Sequence, residues 1–473
     1  MQNTSSISKS LPGRSHGIKL IFVCCLVLLM AIPAMFISYI SFERSGRATE
    51  VTNEVAKRYG GQQYITGPIL VAPYYVANAK QEIEEAGDYV IFPEDGQAVI
   101  SDVVTTIRKR SLFRVPTYQA QARLSASFSE IDKEKYDSQR TILWDQARIM
   151  VGVTDGRGLT EDIYLTLSGG ERLKFEPAAY GGRTNLDMGG LSMHKNFQRY
   201  DGFSGRTNMT FLAVPAASIV SQTGPQTVKA DVTLSGATTL GVLPYAKSTK
   251  LSMNADWPDP GFEGGFAPTE RDITDTGFSA RWSVPYLARG VLGEGTAHNL
   301  NLFDISRTSM TVRFVAQVNP YQTVNRALKY AVMFIGLVFI AYFLFEVLVG
   351  VRVHPAQYIL IGLAQSIFYL LLLAFAEHIG FGAAFLMAAV ATIAVTAGYA
   401  GAVFGARKYI WRAGAVFALT YGLLYTLMRM QDFALMIGAL ASFFAIALTM
   451  YLTRNMDWYA VGRGNEVHKP DSQ

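Results

Sequence analysis

The run ALKYAVMFIGLVFIAYFLFEVLV, from Ala327 to Val349, decides the fold of this chain. One lysine near its start, Lys329, and one carboxylate near its end, Glu346, frame a core of apolar and aromatic side chains. A bilayer core takes roughly 20 such residues of helix to cross. Four more runs follow at short intervals: Ala356–Ala376, Phe381–Phe404, Ala413–Met428 and Phe433–Leu452. Ala413–Met428 reaches span length once its flanking aromatics are counted. A soluble core has no need of five such segments in succession, so the last third of the chain reads as a membrane bundle.

Composition agrees with a mixed membrane and soluble chain. Half of the 473 residues are hydrophobic, 17% are charged, and the formal charge is only +5. That small excess gives a nucleic-acid partner no support. The two cysteines, Cys24 and Cys25, both sit in an apolar run near the N-terminus, which excludes a disulfide framework or thiol-rich metal site elsewhere.

That first apolar run begins at Lys19 and ends near Ile40, after a polar tail carrying Lys9 and Arg14. A secretory signal peptide and an uncleaved anchor both start this way. The apolar core is too long for a signal peptide and no small-x-small cleavage site closes it, which favours the anchor. With it the bundle has six spans. Pro33 lies inside this span, where neighbouring helices can accommodate a kink.

Between the first and second spans the period of the pattern changes to two. Tyr118, Ala120, Ala122, Leu124, Ala126 and Phe128 alternate with polar residues. The same holds for Val228–Leu234, Leu251–Trp257, Phe278–Val284 and Met310–Val318. Strict alternation marks half-buried strands. Turn material separates them at Asp155-Gly156, Gly169-Gly170, Gly182, Gly224-Pro225 and Pro258–Gly261. The expectation is a large, mainly antiparallel, sandwich-like β domain with enough residues for two lobes. A charged helical pattern from Glu50 to Arg58 predicts a short juxtamembrane helix before it.

Arginine and lysine in the short connections orient the bundle. Arg352 lies between spans 2 and 3, and Arg407, Lys408 and Arg412 between spans 4 and 5. Arg454, Arg463 and Lys469 follow span 6. The connection between spans 3 and 4 has none, and that between spans 5 and 6 only Arg429. The positive-inside rule then puts both termini in the cytoplasm and the β domain in the periplasm. The expected division is a tail over residues 1–17, span 1 over 18–42, the periplasmic β domain over 43–326, the bundle over 327–453 and a tail over 454–473. Within the bundle the helices are expected at 327–350, 356–376, 381–404, 410–429 and 433–452.

Several strings, in order and at helix-length spacing, resemble one family. They are Arg326-Ala-Leu-Lys-Tyr330, His354-Pro-Ala-Gln-Tyr358, Phe368-Tyr-Leu-Leu-Leu-Leu373, Glu377-His-Ile-Gly-Phe381 and Thr453-Arg-Asn-Met-Asp-Trp-Tyr459. The family is the CreD, or cell-envelope-integrity, proteins of the Gram-negative inner membrane. Looser landmarks in the β region are Gly67-Pro68 to Pro73, Val153–Leu159, Leu173–Pro177 and Trp257–Phe262. Family members usually carry a histidine and a serine in the last string, where this chain has Asp259 and Gly261; the departure argues against a shared catalytic histidine there. The resemblance implies an inner-membrane protein of envelope integrity and stress response.

The candidate functional residues are polar groups at span ends: Glu346, His354, Gln357, Glu377, His378, Arg429, Arg454 and Asp457. A carboxylate in a span is costly and is a functional candidate by default; snorkelling to the interface is the plain alternative for Glu346. Its expected partners are Arg352, His354, Gln357 and Arg454. His354 precedes Pro355, so a turn role competes with a place in a polar network. His354 and His378 sit about 24 residues apart, roughly 36 Å along a helix, and cannot share a metal. Glu377 and His378 can pair with Arg326, Lys329 or Arg429, as a staple or as a proton path. Ala384, Ala388, Thr392 and Thr396 line one face of span 4, near Gly401 and Gly405, and fit close helix packing or a substrate path.

No nucleophile elbow, P-loop or HExxH string occurs, and Asp155-Gly-Arg-Gly158 reads as a glycine turn. No cofactor is expected, and the expected partners are the lipid bilayer and a periplasmic envelope component, with no nucleic acid. Three functions remain open: an envelope protein whose β domain binds or senses such a component, a transporter or flippase of an envelope precursor, and an intramembrane hydrolase. Charges confined to span ends count against the second, and the missing dyad against the third.

Overall fold

A computed structural model describes residues 16–454, apart from 79, 111–112, 138–139, 179–208, 298, 301–306, 315–319, 350–352 and 431–432. Gly182, Val318, Arg352, Asp432 and Asp457 therefore lie outside the described residues. Chain contacts divide into two compact units, residues 49–317 and residues 1–48 with 318–473.

The first unit is two β-sheets sharing one hydrophobic core. One sheet has the strand order β15 (Glu270–Thr274), β16 (Gly277–Val284), β13 (Ser248–Ala255), β3 (Asp95–Arg110), β4 (Phe113–Phe128), β11 (Gln226–Ala237), β7 (Tyr164–Leu167) and β8 (Arg172–Lys174). Its pairings are antiparallel except β3 with β13. The alternating residues of β4, β11 and β16 are all buried, as their period requires. In the other sheet β1 (Gln63–Ala77) runs through the middle, flanked by β12 (Thr239–Val242) in parallel and β6 (Arg148–Val153) antiparallel. β2 (Ile83–Ile91) pairs with the far half of β1, and β17 (Glu294–Thr296) pairs with β2. β18 (Met310–Phe314) joins β12. From Gln63 to Ala72 every residue of β1 is buried, so this strand shows no alternation at all.

The charged helical pattern does form a helix, the end of a continuous stretch Ala31–Arg58. Val51, Val55 and Ala56 on it pack against Val115 and Ala237. Glu54 pairs with Arg110 at 2.6 Å, at the tip of the β3–β4 hairpin. Asp155-Gly-Arg-Gly158 is a single 3-10 turn, capped by the Asp155 carboxylate, which accepts from the Arg157 N–H at 3.0 Å.

Among the described residues, six helices are long and apolar enough to cross a membrane. Span 1 is Lys19–Arg58, with a break at Met30 between the helical stretches His16–Leu29 and Ala31–Arg58. The break falls just before Pro33 because a proline ring crowds the carbonyl four residues back and has no N–H to give it. Span 2 is Ala331–Val349, span 3 Pro355–Ile379, span 4 Phe381–Val403, span 5 Arg407–Arg429 and span 6 Ala434–Thr453. A shorter helix, Pro320–Lys329, precedes span 2. Gly362 of span 3 sits against Met30 and Phe339, where a Cβ would lie 2.7 Å and 2.8 Å from their side chains. Gly401 of span 4 faces Ile410 of span 5 so closely that any Cβ would collide with it. Close approach of backbones at small residues is how helices associate in lipid.

Candidate functional site

Span 2 ends by delivering Glu346 into a closed polar cluster. The residue is only 7% exposed, and both carboxylate oxygens are occupied. Oε1 accepts from the ammonium of Lys19 and from the Val353 N–H at 3.1 Å. Oε2 accepts from the Tyr358 hydroxyl at 2.9 Å. Lys19 also donates to the Val353 carbonyl at 3.0 Å, so both polar groups of that residue's backbone are used. The cluster ties the start of span 1, the last turn of span 2 and the start of span 3. A buried ion pair of this kind is held by the extra hydrogen bonds around it.

Next to it His354 and Gln357 form a capping box. His354 Nδ1 accepts from the Ala356 N–H at 3.2 Å, and Gln357 Oε1 accepts from the His354 N–H at 2.9 Å. Pro355 occupies the first helical position, where its missing N–H costs nothing. His354 is thereby a helix-starting residue, engaged with backbone rather than with Glu346.

Of the expected partners of Glu346, Arg352 lies outside the described residues, and the other three are engaged elsewhere. His354 and Gln357 bond to each other's neighbourhood, and Arg454 is exposed and lies over the Tyr451 ring at 4.4 Å. Lys19, which the sequence shows only as the polar flank of an apolar run, takes their place. Tyr358, the carboxylate's third donor, shows in the sequence only as the last residue of the string His354–Tyr358.

At the opposite end of span 3, Glu377 accepts from the Tyr321 hydroxyl at 3.1 Å. Among the described residues it forms no ion pair with Arg326, Lys329 or Arg429. Arg429 instead donates to the Tyr425 hydroxyl at 3.2 Å, on its own helix, and His378 is exposed. Span 4 buries Ala384, Ala388, Thr392 and Thr396 together. The two threonine hydroxyls donate to carbonyls of their own helix, Ala388 at 2.9 Å and Thr392 at 2.7 Å. The Tyr342 hydroxyl of span 2 donates to the Thr396 carbonyl at 2.8 Å.

A further polar contact lies near the middle of the spans. Gln365 of span 3, 4% exposed, accepts at Oε1 from the Tyr421 hydroxyl of span 5 at 2.6 Å. Its Nε2 has no partner among the described residues. Gln365 is one of two amides inside the run Ala356–Ala376, with Gln357 at its start, and an uncharged side chain does not stand out there as a charge does.

In the β domain, Arg140 lies over the rings of Tyr74 and Tyr89, at 5.6 Å and 4.9 Å. Tyr136 and Trp144 continue this aromatic group, and the Tyr136 hydroxyl donates to Glu294 at 2.6 Å. Asp88 on β2 is 7% exposed, and burial pushes its carboxyl up to about 6, against the pull of Arg148. Among the described residues no group of three or more His, Cys, Asp or Glu could hold a metal ion.

Comparison with known proteins gives one consistent answer. A family model described as inner membrane protein CreD matches residues 15–459. The Inner membrane protein CreD of Escherichia coli (strain K12) is 28% identical over 448 residues, covering 92% of this chain and 92% of that protein.

Proposed function

This chain belongs to the CreD family of inner-membrane proteins, and from that premise we propose that it supports cell-envelope integrity without catalysing a reaction. In this reading the six spans anchor a periplasmic β domain that binds or senses an envelope component, and both termini are cytoplasmic. The observation that carries it is the two-sheet unit of residues 49–317, whose strands begin at Gln63, after span 1. The exposed Arg407, Lys408 and Arg412 at the start of span 5 support the orientation. The Glu346 cluster supports a structural role for the span ends, since each of its polar atoms is engaged in holding helices together.

One observation favours a second reading, a transporter or flippase of an envelope precursor. Gln365 puts a buried, unpartnered N–H donor near mid-span, where such a pathway needs polar groups. The Tyr421 bond that fixes it, and the close packing around it, favour the anchor.

Alkaline phosphatase fusions test the orientation on which the reading depends. A fusion after Asp304 is expected to be active and one after Arg407 inactive. The reverse pattern contradicts a periplasmic β domain.

A further inference from the structure

A short helical turn, Tyr286–Arg289, follows β16 and sends its last side chain inward. Arg289 is 0% exposed, and its guanidinium carbon stands 3.7 Å from the centroid of the Phe92 ring. Among the described residues, Nε and both terminal nitrogens have no hydrogen-bond partner. Burial lowers its pKa, but only to about 10, so the group keeps its charge at neutral pH. A desolvated, unpaired cation is costly, and a ring face returns only a part of that cost. Phe92 covers a face of the guanidinium and leaves its N–H edges, the groups that grip a planar oxyanion in bidentate fashion.

The surroundings specify the anion further. Lys247 pairs with Glu94 at 2.6 Å, and Lys135 with Glu294 at 3.0 Å. These two pairs cancel and leave the single charge of Arg289. A carboxylate matches it, whereas a phosphate monoester carries about −1.5 to −2. The same turn displays apolar side chains outward: Leu287 is 92% exposed, Leu292 63% and Tyr286 38%. Gly290, at φ 74° with open space around its Cα, follows Arg289 and provides a pivot.

We propose that Arg289 is the receptor for a carboxylate carried on a peptide segment with apolar neighbours, admitted when the turn Tyr286–Arg289 lifts about Gly290 while Val291 and Gly293 stay in place. Leu287 and Leu292 then hold the flanking apolar side chains while the guanidinium takes the carboxylate. The proposal rests on the reading of the β domain as the binding part of the protein and gives that part a ligand chemistry. Complementation in cells tests that reading; binding by the purified chain tests Arg289 alone, so either can fail without the other.

The test uses the full chain in detergent and a fluorescein-labelled hexapeptide alternating leucine and aspartate, read by anisotropy. Wild type is expected to bind it, and the asparagine counterpart at least about tenfold more weakly, as loss of a charged hydrogen-bonded partner requires. Arg289→Met is expected to lose at least about tenfold in affinity while its melting temperature holds or rises. Leu287→Ser, at an exposed position that leaves the fold intact, is expected to lose about fivefold; it serves equally if Arg289→Met does not accumulate. Absence of binding to wild type, equal binding of the asparagine peptide, or unchanged affinity in either variant overturns the proposal. Tighter binding of a phosphoserine counterpart overturns the choice of a carboxylate.

Discussion

In the membrane bundle the cation of Lys19 meets Glu346, and every polar atom of that carboxylate is engaged. In the β domain the cation of Arg289 is buried against Phe92, with no counter-ion and no acceptor among the described residues. The two regions thus hold buried charge in opposite conditions. A satisfied pair is a staple: removing one partner strands the other. An unsatisfied charge is a standing cost, which a fold keeps stable only by surplus elsewhere, and its removal relieves the structure.

The largest expected effect follows from that contrast. Glu346→Ala strands Lys19, the Val353 N–H and the Tyr358 hydroxyl, and should cost about 3–5 kcal/mol. Lys19→Met with Glu346→Leu should recover only the part owed to the stranded Lys19 charge, since the Val353 N–H and the Tyr358 hydroxyl stay without this acceptor. Arg289→Met should move stability in the other direction. Melting of the detergent-solubilised chain measures all three, and equal signs for Glu346→Ala and Arg289→Met would erase the distinction between the regions.

Asp88 sharpens the comparison inside the β domain. Burial raises its carboxyl from 3.8 to about 6, so the folded chain holds this proton more tightly than the unfolded one. Its contribution to stability is full below about pH 4 and is lost as pH rises through 6. A shift of that size corresponds to roughly 3 kcal/mol. Denaturation of wild type and Asp88→Asn across that window should show the difference growing in favour of Asp88→Asn. A constant difference would mean that Asp88 titrates normally.

Gly401→Leu acts on the bundle through packing alone. The new side chain must displace Ile410, at an expected cost of about 2 kcal/mol. Amide exchange should quicken in spans 4 and 5 and stay unchanged in β4 and β11. Unaltered exchange in those spans would mean that span 5 simply moves aside.

What the residues reveal in advance follows the same division. Long apolar runs and strict alternation expose the spans and strands β4, β11 and β16, because each has one simple relation to its solvent. β1 escapes, since a strand buried on both faces has no period of two. The Glu346 carboxylate is legible as a costly group, but its partner is 327 residues away and looks like an ordinary flank. Arg289 is concealed for the opposite reason: nothing in its own string sets it apart from a surface arginine, and only the fold shows the guanidinium turned inward.

On the proposed reading, the bundle's charged cluster is a structural staple and function resides in the β domain. The most direct test is a null strain carrying Lys19→Met with Glu346→Gln, which keeps an acceptor for the Val353 N–H and removes both charges. The account predicts that this variant accumulates in the membrane and restores resistance to envelope stress like wild type. Normal accumulation without restored resistance would contradict it and assign the function to the Glu346 carboxylate.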